Sequence, residues 1–257
     1  MANQPKKNAS GSRAHEKEAT AAKREARREK AAAQAARMKA EAAARQRRDR
    51  LAVGGVVAVV LALIAGGVWF QLSRTSGPVE PPANVSAEYG FSVGKDDAPT
   101  EIEIMADYLC PVCAQFEQQT DAPLTAAVEA GKVKLTHLPV VILGRYGDYS
   151  ERAANAVAVV LDTAGPEVAA EFNRNLFAEQ PAEGGEQPGD DWLIDLAVES
   201  GADKSKIEDG IKDNKFERWV KEGTQEAQRR GMQGTPTIFI DGKMVEYEAA
   251  VQQIAAL

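Results

Sequence analysis

The stretch Thr100-Glu-Ile-Glu-Ile-Met-Ala-Asp-Tyr-Leu-Cys-Pro-Val-Cys113 decides how this chain is read. Thr100–Ala106 begins as an alternation of polar and apolar side chains and carries β-branched residues, the pattern of a strand. Asp107-Tyr-Leu109 leads directly into the two cysteines. Phe116, Leu124 and Val128 then recur as the apolar positions of a helix that stops near Gly131. Cys110 therefore stands where a strand hands over to a helix. Unpaired amide N–H groups and the positive end of the helix dipole favour thiolate over thiol there. The thiolate is the nucleophile of disulfide exchange, and a lowered pKa also makes it a better leaving group. Pro111 suits the first helical turn, where its missing N–H is not needed. Cys113 follows one turn on, on the same face, placed to close a disulfide with Cys110 and to resolve a mixed one.

These are the only cysteines among 257 residues. A zinc site needs four ligands, and one Cys-x-x-Cys pair with two histidines in the whole chain does not supply them. No metal and no cofactor are expected. A purely structural disulfide would close a tiny loop and contribute little. Two inert buried thiols are the remaining bland alternative.

Outward from this centre the chain reads as an α/β protein. Lys132–Val141 is a second strand. Helical patterns cover Ala153–Leu161, Val168–Phe177, Trp192–Ser200, Ile207–Asp213 and Phe216–Arg229, with a Gly/Pro loop at 184–189. Thr237–Ile240 and Lys243–Val245 form a hairpin about Asp241-Gly242, and a last helix runs over 248–257. His137 is read as a packed or surface side chain rather than a ligand, and Trp192 and Trp219 as core. Tyr108 is read equally as packing or as groove wall, and Arg145, Tyr146 and Tyr149 as candidate linings of a substrate surface.

Asp107-Tyr-Leu-Cys-Pro-Val-Cys113 together with Gly234-Thr-Pro-Thr-Ile-Phe-Ile-Asp-Gly242 resembles the DsbA-like thiol–disulfide oxidoreductases of the thioredoxin superfamily. The likeness is to the membrane-anchored Gram-positive and actinobacterial type. It implies a thioredoxin fold with a helical domain inserted at about 148–230. It also implies a cis peptide at Pro236, with Thr235 offering its backbone to an extended substrate chain in the manner of an added strand. Cys110 would be the nucleophile and Cys113 the resolving thiol, with Pro111 and Val112 between them. Two features depart from the family pattern. The most oxidising members carry His between the cysteines, where this chain has Pro111 and the neutral Val112, so a less stabilised thiolate and a weaker oxidant are expected. In many relatives the strand position six before the first cysteine is a carboxylate that relays protons. Here it is Ile104. Asp107 is the nearest alternative relay, with a turn or capping role as the plainer reading.

The front of the chain sets the compartment. Residues 1–50 hold 15 Lys and Arg against 6 Asp and Glu, and residues 51–257 hold 16 against 32, beneath a bland net charge of −7. Between the two halves lies Leu51–Phe70, LAVGGVVAVVLALIAGGVWF, long and apolar enough to cross a bilayer, with Trp69 at the far interface. Its length and 50-residue basic prelude fit an uncleaved anchor better than a signal peptide. Arg45, Arg47, Arg48 and Arg50 place the amino end in the cytoplasm. The expected order is a basic arm over 1–50, disordered or helical, an anchor over 51–72, a Pro-rich linker over 73–88 and the DsbA-like domain over 89–257. The basic arm is assigned to topology, with no nucleic acid as partner.

The reading is of an enzyme that introduces disulfides into reduced secreted or cell-envelope proteins. By the same resemblance it is reoxidised by a quinone-linked membrane partner. A reductase or isomerase of the same fold is the alternative.

Overall fold

The computed structural model describes residues 9–75 and 79–257, so Ser76, Gly77 and Pro78 of the expected linker, and the first eight residues of the arm, lie outside the described residues. The chain divides into two units, Met1–Gly77 and Pro78–Leu257.

In the first unit a single helix, α1, runs over Ala9–Thr75. Ala, Arg, Lys and Glu are strong helix formers, and from Ala9 onward no proline interrupts them before residue 78. Residues 9–50 of the arm lie in this helix, and the first three residues of the expected linker continue it. Within Arg27–Gly67 the most apolar 18 residues reach a mean hydropathy of 2.1, long and apolar enough to cross a membrane. Leu51, Leu63 and Trp69 stand exposed on it.

The second unit is built on a mixed sheet in the order β1-β3-β2-β4-β5 among the described residues. Its strands are β1 (Phe91–Val93), β2 (Thr100–Ala106), β3 (Val133–Pro139), β4 (Thr237–Ile240) and β5 (Lys243–Val245). β2 and β3 run parallel, linked by the crossover helix α2 (Pro111–Glu129). β1, β4 and β5 pair antiparallel with their neighbours. The strand alternation turns Ile102 and Ile104 inward onto Phe116 and Leu124 of α2 and onto Ala250 and Ile254 of the last helix, α8 (Tyr247–Ala255). Met105 faces the opposite side with Leu138, Val140, Ala227 and Met232. The β4–β5 turn places Asp241 (φ 50°) and Gly242 (φ 74°) both in the left-handed region, the primed hairpin geometry that an Asp-Gly pair adopts readily.

Between β3 and β4 the chain leaves the sheet for a short 3₁₀ turn (Gly144–Tyr146) and five helices: α3 (Tyr149–Ala164), α4 (Pro166–Ala178), α5 (Asp190–Glu199), α6 (Lys204–Lys212) and α7 (Glu217–Arg229). The Ala/Val face of α3, from Ala153 to Leu161, is buried at the centre of this block. Asn155 on the same helix ties the block together: its amide donates to the carbonyls of Gly210 and Ile211, and its oxygen accepts from Phe216 N–H at 2.8 Å.

One strand is absent from the sequence reading and two readings change. β1 spans three residues, too few for an alternation to register. The end of the expected linker does not hang free: Ala83 N–H donates to Asp162 Oδ1 at 2.8 Å and Asn84 Nδ2 to the Leu161 carbonyl at 2.8 Å, which dock it on the end of α3. Tyr149 is wholly buried and lines no surface, whereas Tyr146 and Arg145 stand exposed on the 3₁₀ turn.

Candidate active site

Cys110 is the residue before α2, in extended backbone (φ −80°, ψ 114°), with Pro111 as the first helical residue. Its N–H donates to the Asp107 carbonyl at 3.0 Å, and its own carbonyl accepts from the N–H groups of Cys113 (3.0 Å) and Ala114 (3.2 Å). That arrangement fixes the sulfur over the opening turn of the helix. Both cysteines are free thiols. Cys110 is 7% exposed and Cys113 2%, both buried, while Val112 between them is 47% exposed.

The two neighbouring thiols differ widely in acidity. Cys110 is lowered to about 6, first by the thiol of Cys113 acting as donor, against the opposing effect of burial, and then by Thr235 and the amides of Cys113 and Val112. Cys113 is pushed far up, first by burial and then by its neighbour Cys110. A lowered thiol at a helix start beside a raised one gives one sulfur that holds negative charge and one that holds a proton.

Thr235 and Pro236 lie opposite. The peptide between them is cis. The sulfur of Cys110 lies 3.4 Å from the Thr235 carbonyl oxygen. The Thr235 hydroxyl is buried without a hydrogen-bond partner among the described residues. It is a spare donor that favours the thiolate form of either cysteine.

Asp107 is buried and fully engaged. Oδ1 accepts from Leu109 N–H at 2.9 Å and from the Ser150 hydroxyl, and Oδ2 accepts from the N–H groups of Ile142 (2.8 Å) and Leu143 (2.9 Å). The bond to Leu109 is an Asx turn, and the others tie the cysteine turn to the segment after β3. Four donors leave no lone pair of this carboxylate turned toward a sulfur, which is the geometry of an anchor.

Tyr108 is buried against Phe177, with its hydroxyl donating to Asn173 Oδ1 at 2.7 Å, so it is packing and not groove wall. His137 is buried and stacked on Phe91, with ring centroids 5.1 Å apart, and burial lowers it to about 4, which keeps it neutral. Trp219 is core and Trp192 packs on its edge.

Two residues at the site carry no motif. Glu117, one turn beyond Cys113, is a buried carboxyl whose Oε1 accepts from Asn173 Nδ2 at 3.4 Å. Burial, then Asp121, raise it to about 7 against the pull of Arg174. It lines a small cavity with Ile104, Ala106, Tyr108 and His137. Its spacing of four from Cys113 is the signal that would have found it. Gln180, just past α4, donates from Nε2 to the carbonyls of Tyr108 and Cys110, both at 3.0 Å. No sequence pattern marks it. No cluster of metal-ligating side chains occurs among the described residues.

A strand and a helix that meet at a cysteine pair, faced by a threonyl–cis-proline peptide and interrupted by inserted helices, define a thioredoxin-fold redox protein. The chain belongs to the thioredoxin family, whose model matches residues 86–257. It is a DsbA-like thiol–disulfide oxidoreductase. Disulfide bond formation protein D of Bacillus subtilis is 26% identical over 164 residues, covering 63% of this chain and 72% of that protein. Among solved structures, reduced DsbA from Mycobacterium tuberculosis is 28% identical with a TM-score of 0.56, over 65% of this chain and 91% of that one. MdbA, a thiol–disulfide oxidoreductase from Corynebacterium diphtheriae, is 27% identical with a TM-score of 0.57, over 68% and 95%.

Proposed function

We propose that this enzyme carries a Cys110–Cys113 disulfide to reduced proteins outside the cytoplasm and introduces disulfides into them. The observation that carries the reading is the split between the two thiols, one lowered to about 6 and the other raised. A substrate thiolate attacks the more exposed sulfur, Cys110. The Cys110–Cys113 bond breaks, its electron pair goes to Cys113, and that sulfur takes up a proton because its environment favours the thiol. A second substrate thiolate then attacks the substrate sulfur of the mixed disulfide. The substrate disulfide forms, and Cys110 leaves as a thiolate, the form its surroundings stabilise. Two substrate thiols are oxidised and one enzyme disulfide is reduced.

In this reading Pro111 starts the helix, Val112 lies exposed beside the sulfur, and the backbone of Thr235 before Pro236 pairs with the substrate chain as an added strand. Asp107 is assigned to anchoring the turn, in preference to proton relay. Residues 1–50 form a cytoplasmic arm, residues 51–72 the anchor, and residues 73–88 lead to a catalytic domain over 89–257 that faces outward, as the arginines before the anchor favour. The substrates are secreted or cell-envelope proteins, and a quinone-linked membrane enzyme reoxidises the dithiol.

A reductase runs the same steps backwards. One observation favours it: a Cys110 value of about 6 is nearer to the ~7 of thioredoxin than to the ~3.5 of DsbA. Two measurements on the full chain in detergent decide. Cys110→Ser must abolish oxidation of a reduced peptide, and retained wild-type turnover refutes the assignment of the nucleophile. A reduction potential close to thioredoxin's value of about −270 mV would replace oxidase by reductase.

A further inference from the structure

Gln180 belongs to the helical insertion, yet its side chain ends on the cysteine turn. We infer that Gln180 is a positioning residue for disulfide exchange: from the insertion it fixes the main chain on both sides of Leu109, and with it the direction of the Cys110 sulfur.

A carboxamide nitrogen carries two hydrogens, so the bonds to the Tyr108 and Cys110 carbonyls, both 3.0 Å, are made together. They bracket Leu109, which is wholly buried. The Cys110 peptide is thus held from three directions. The Asp107 carbonyl takes its N–H, the first amides of α2 take its carbonyl from one side, and Gln180 takes that carbonyl from another. In that setting the sulfur faces the Thr235 carbonyl oxygen at 3.4 Å. Each Gln180 donor also offsets the partial negative charge of a carbonyl oxygen close to a sulfur that must carry charge. Seven residues on, the same loop is pinned by a second carboxamide. Gln187 accepts from Tyr149 N–H at 3.2 Å and donates to the Tyr146 carbonyl at 2.7 Å, away from the cysteines. The loop between α4 and α5 therefore carries two similar clamps, of which one alone grips the redox turn.

The pair of clamps supplies the test, made on full-length protein in detergent. Gln180→Met and Gln187→Met each keep length and volume and remove both bonds. The readouts are the pH midpoint of Cys110 alkylation by iodoacetamide and the equilibrium with glutathione. Gln180→Met should raise the midpoint by about half a unit to one unit, the scale of a modest hydrogen bond. It should also move the glutathione equilibrium about threefold to fivefold toward the enzyme disulfide, because the dithiol form loses stabilisation of its thiolate. Gln187→Met should move neither. Gln180→Glu, which keeps the shape but turns a carboxylate toward two carbonyls, should shift the midpoint further the same way and serves if the Met variant does not fold. An unchanged midpoint in the folded Gln180 variant overturns the inference, and so do equal shifts in both Met variants. The inference rests on exchange at Cys110 as proposed above. A wild-type chain that oxidises no peptide overturns that reading, whereas an active wild type with an unmoved Gln180 variant overturns only the role of Gln180.

Discussion

Removing the Cys113 thiol should make Cys110 a much weaker acid. The Cys113 thiol is the largest influence lowering Cys110 to about 6, and Cys113 keeps its proton because burial pushes it far up. It is therefore a donor at every pH of interest. A hydrogen bond to a charged acceptor contributes about 1.5–3 kcal/mol, which corresponds to about one to two pKa units. In Cys113→Ala the midpoint of Cys110 should move from about 6 to about 7–8. At pH 5 the thiolate fraction then falls about tenfold to a hundredfold, but the more basic thiolate is also more nucleophilic. With a Brønsted slope near 0.5 the net loss of rate at pH 5 is about threefold to tenfold. The midpoint is free of that compensation, so it is the quantity to measure, by iodoacetamide alkylation of the reduced chain between pH 4 and 10. Cys113→Ser keeps a hydroxyl donor and should stay nearer the wild-type midpoint. An alanine variant with an intact fold and an unmoved midpoint would falsify the assignment of the Cys113 thiol as the donor that lowers Cys110.

Two further outcomes follow from the buried carboxyls. Glu117 is raised to about 7 in the folded chain, above its unfolded value, so the folded state binds more protons between the two values. Its contribution is fully present below the unfolded pKa and is lost as pH rises through about 7, by up to about 3 kcal/mol. Glu117→Gln should flatten this part of the stability curve and raise stability at pH 8, measured by urea unfolding in detergent, and a curve that keeps its slope contradicts the assignment. Asp107→Ala strands the N–H groups of Leu109, Ile142 and Leu143 and the hydroxyl of Ser150. It should cost about 3–5 kcal/mol in the same assay, and a loss below about 1 kcal/mol would mean the carboxylate is no anchor.

What was legible in the sequence is what short-range pattern encodes. β2, the cysteine turn and α2 follow from an alternation broken by Cys-Pro-Val-Cys, and the β4–β5 hairpin from Asp241-Gly242. The inserted helices show through their apolar faces. What was not legible depends on partners distant in the chain. Asp107 looks like a local turn residue, and only the approach of Ile142, Leu143 and Ser150 makes it an anchor. Glu117 sits in a polar run, Ala114-Gln-Phe-Glu-Gln-Gln119, whose burial is decided by α4 through Asn173. Gln180 is one polar residue in a loop, and nothing in its neighbours points to a carbonyl 70 residues earlier. Tyr149 begins α3 three residues after the exposed Tyr146 of the 3₁₀ turn yet is wholly buried, because its helix packs into the inserted block.

The charge at this site is handled without any ion pair at the sulfur. Every influence that lowers Cys110 is a neutral donor: the Cys113 thiol, Thr235, and the amides of Cys113 and Val112. The titratable groups beneath are driven toward their uncharged forms by burial, Glu117 and Cys113 upward and His137 downward. Between about pH 6 and 7, Cys110 is thus ionised while Glu117, Cys113 and His137 stay uncharged. Neutral Val112 fits that arrangement, since it brings no cation to the thiolate. Neutral donors stabilise a thiolate only while they point at it, so reactivity at Cys110 depends on the placement of the turn. The dependence explains why the surrounding structure spends its polar side chains on main chain: Asp107 on one flank and Gln180 on the other hold the peptide groups, and the peptide groups hold the sulfur.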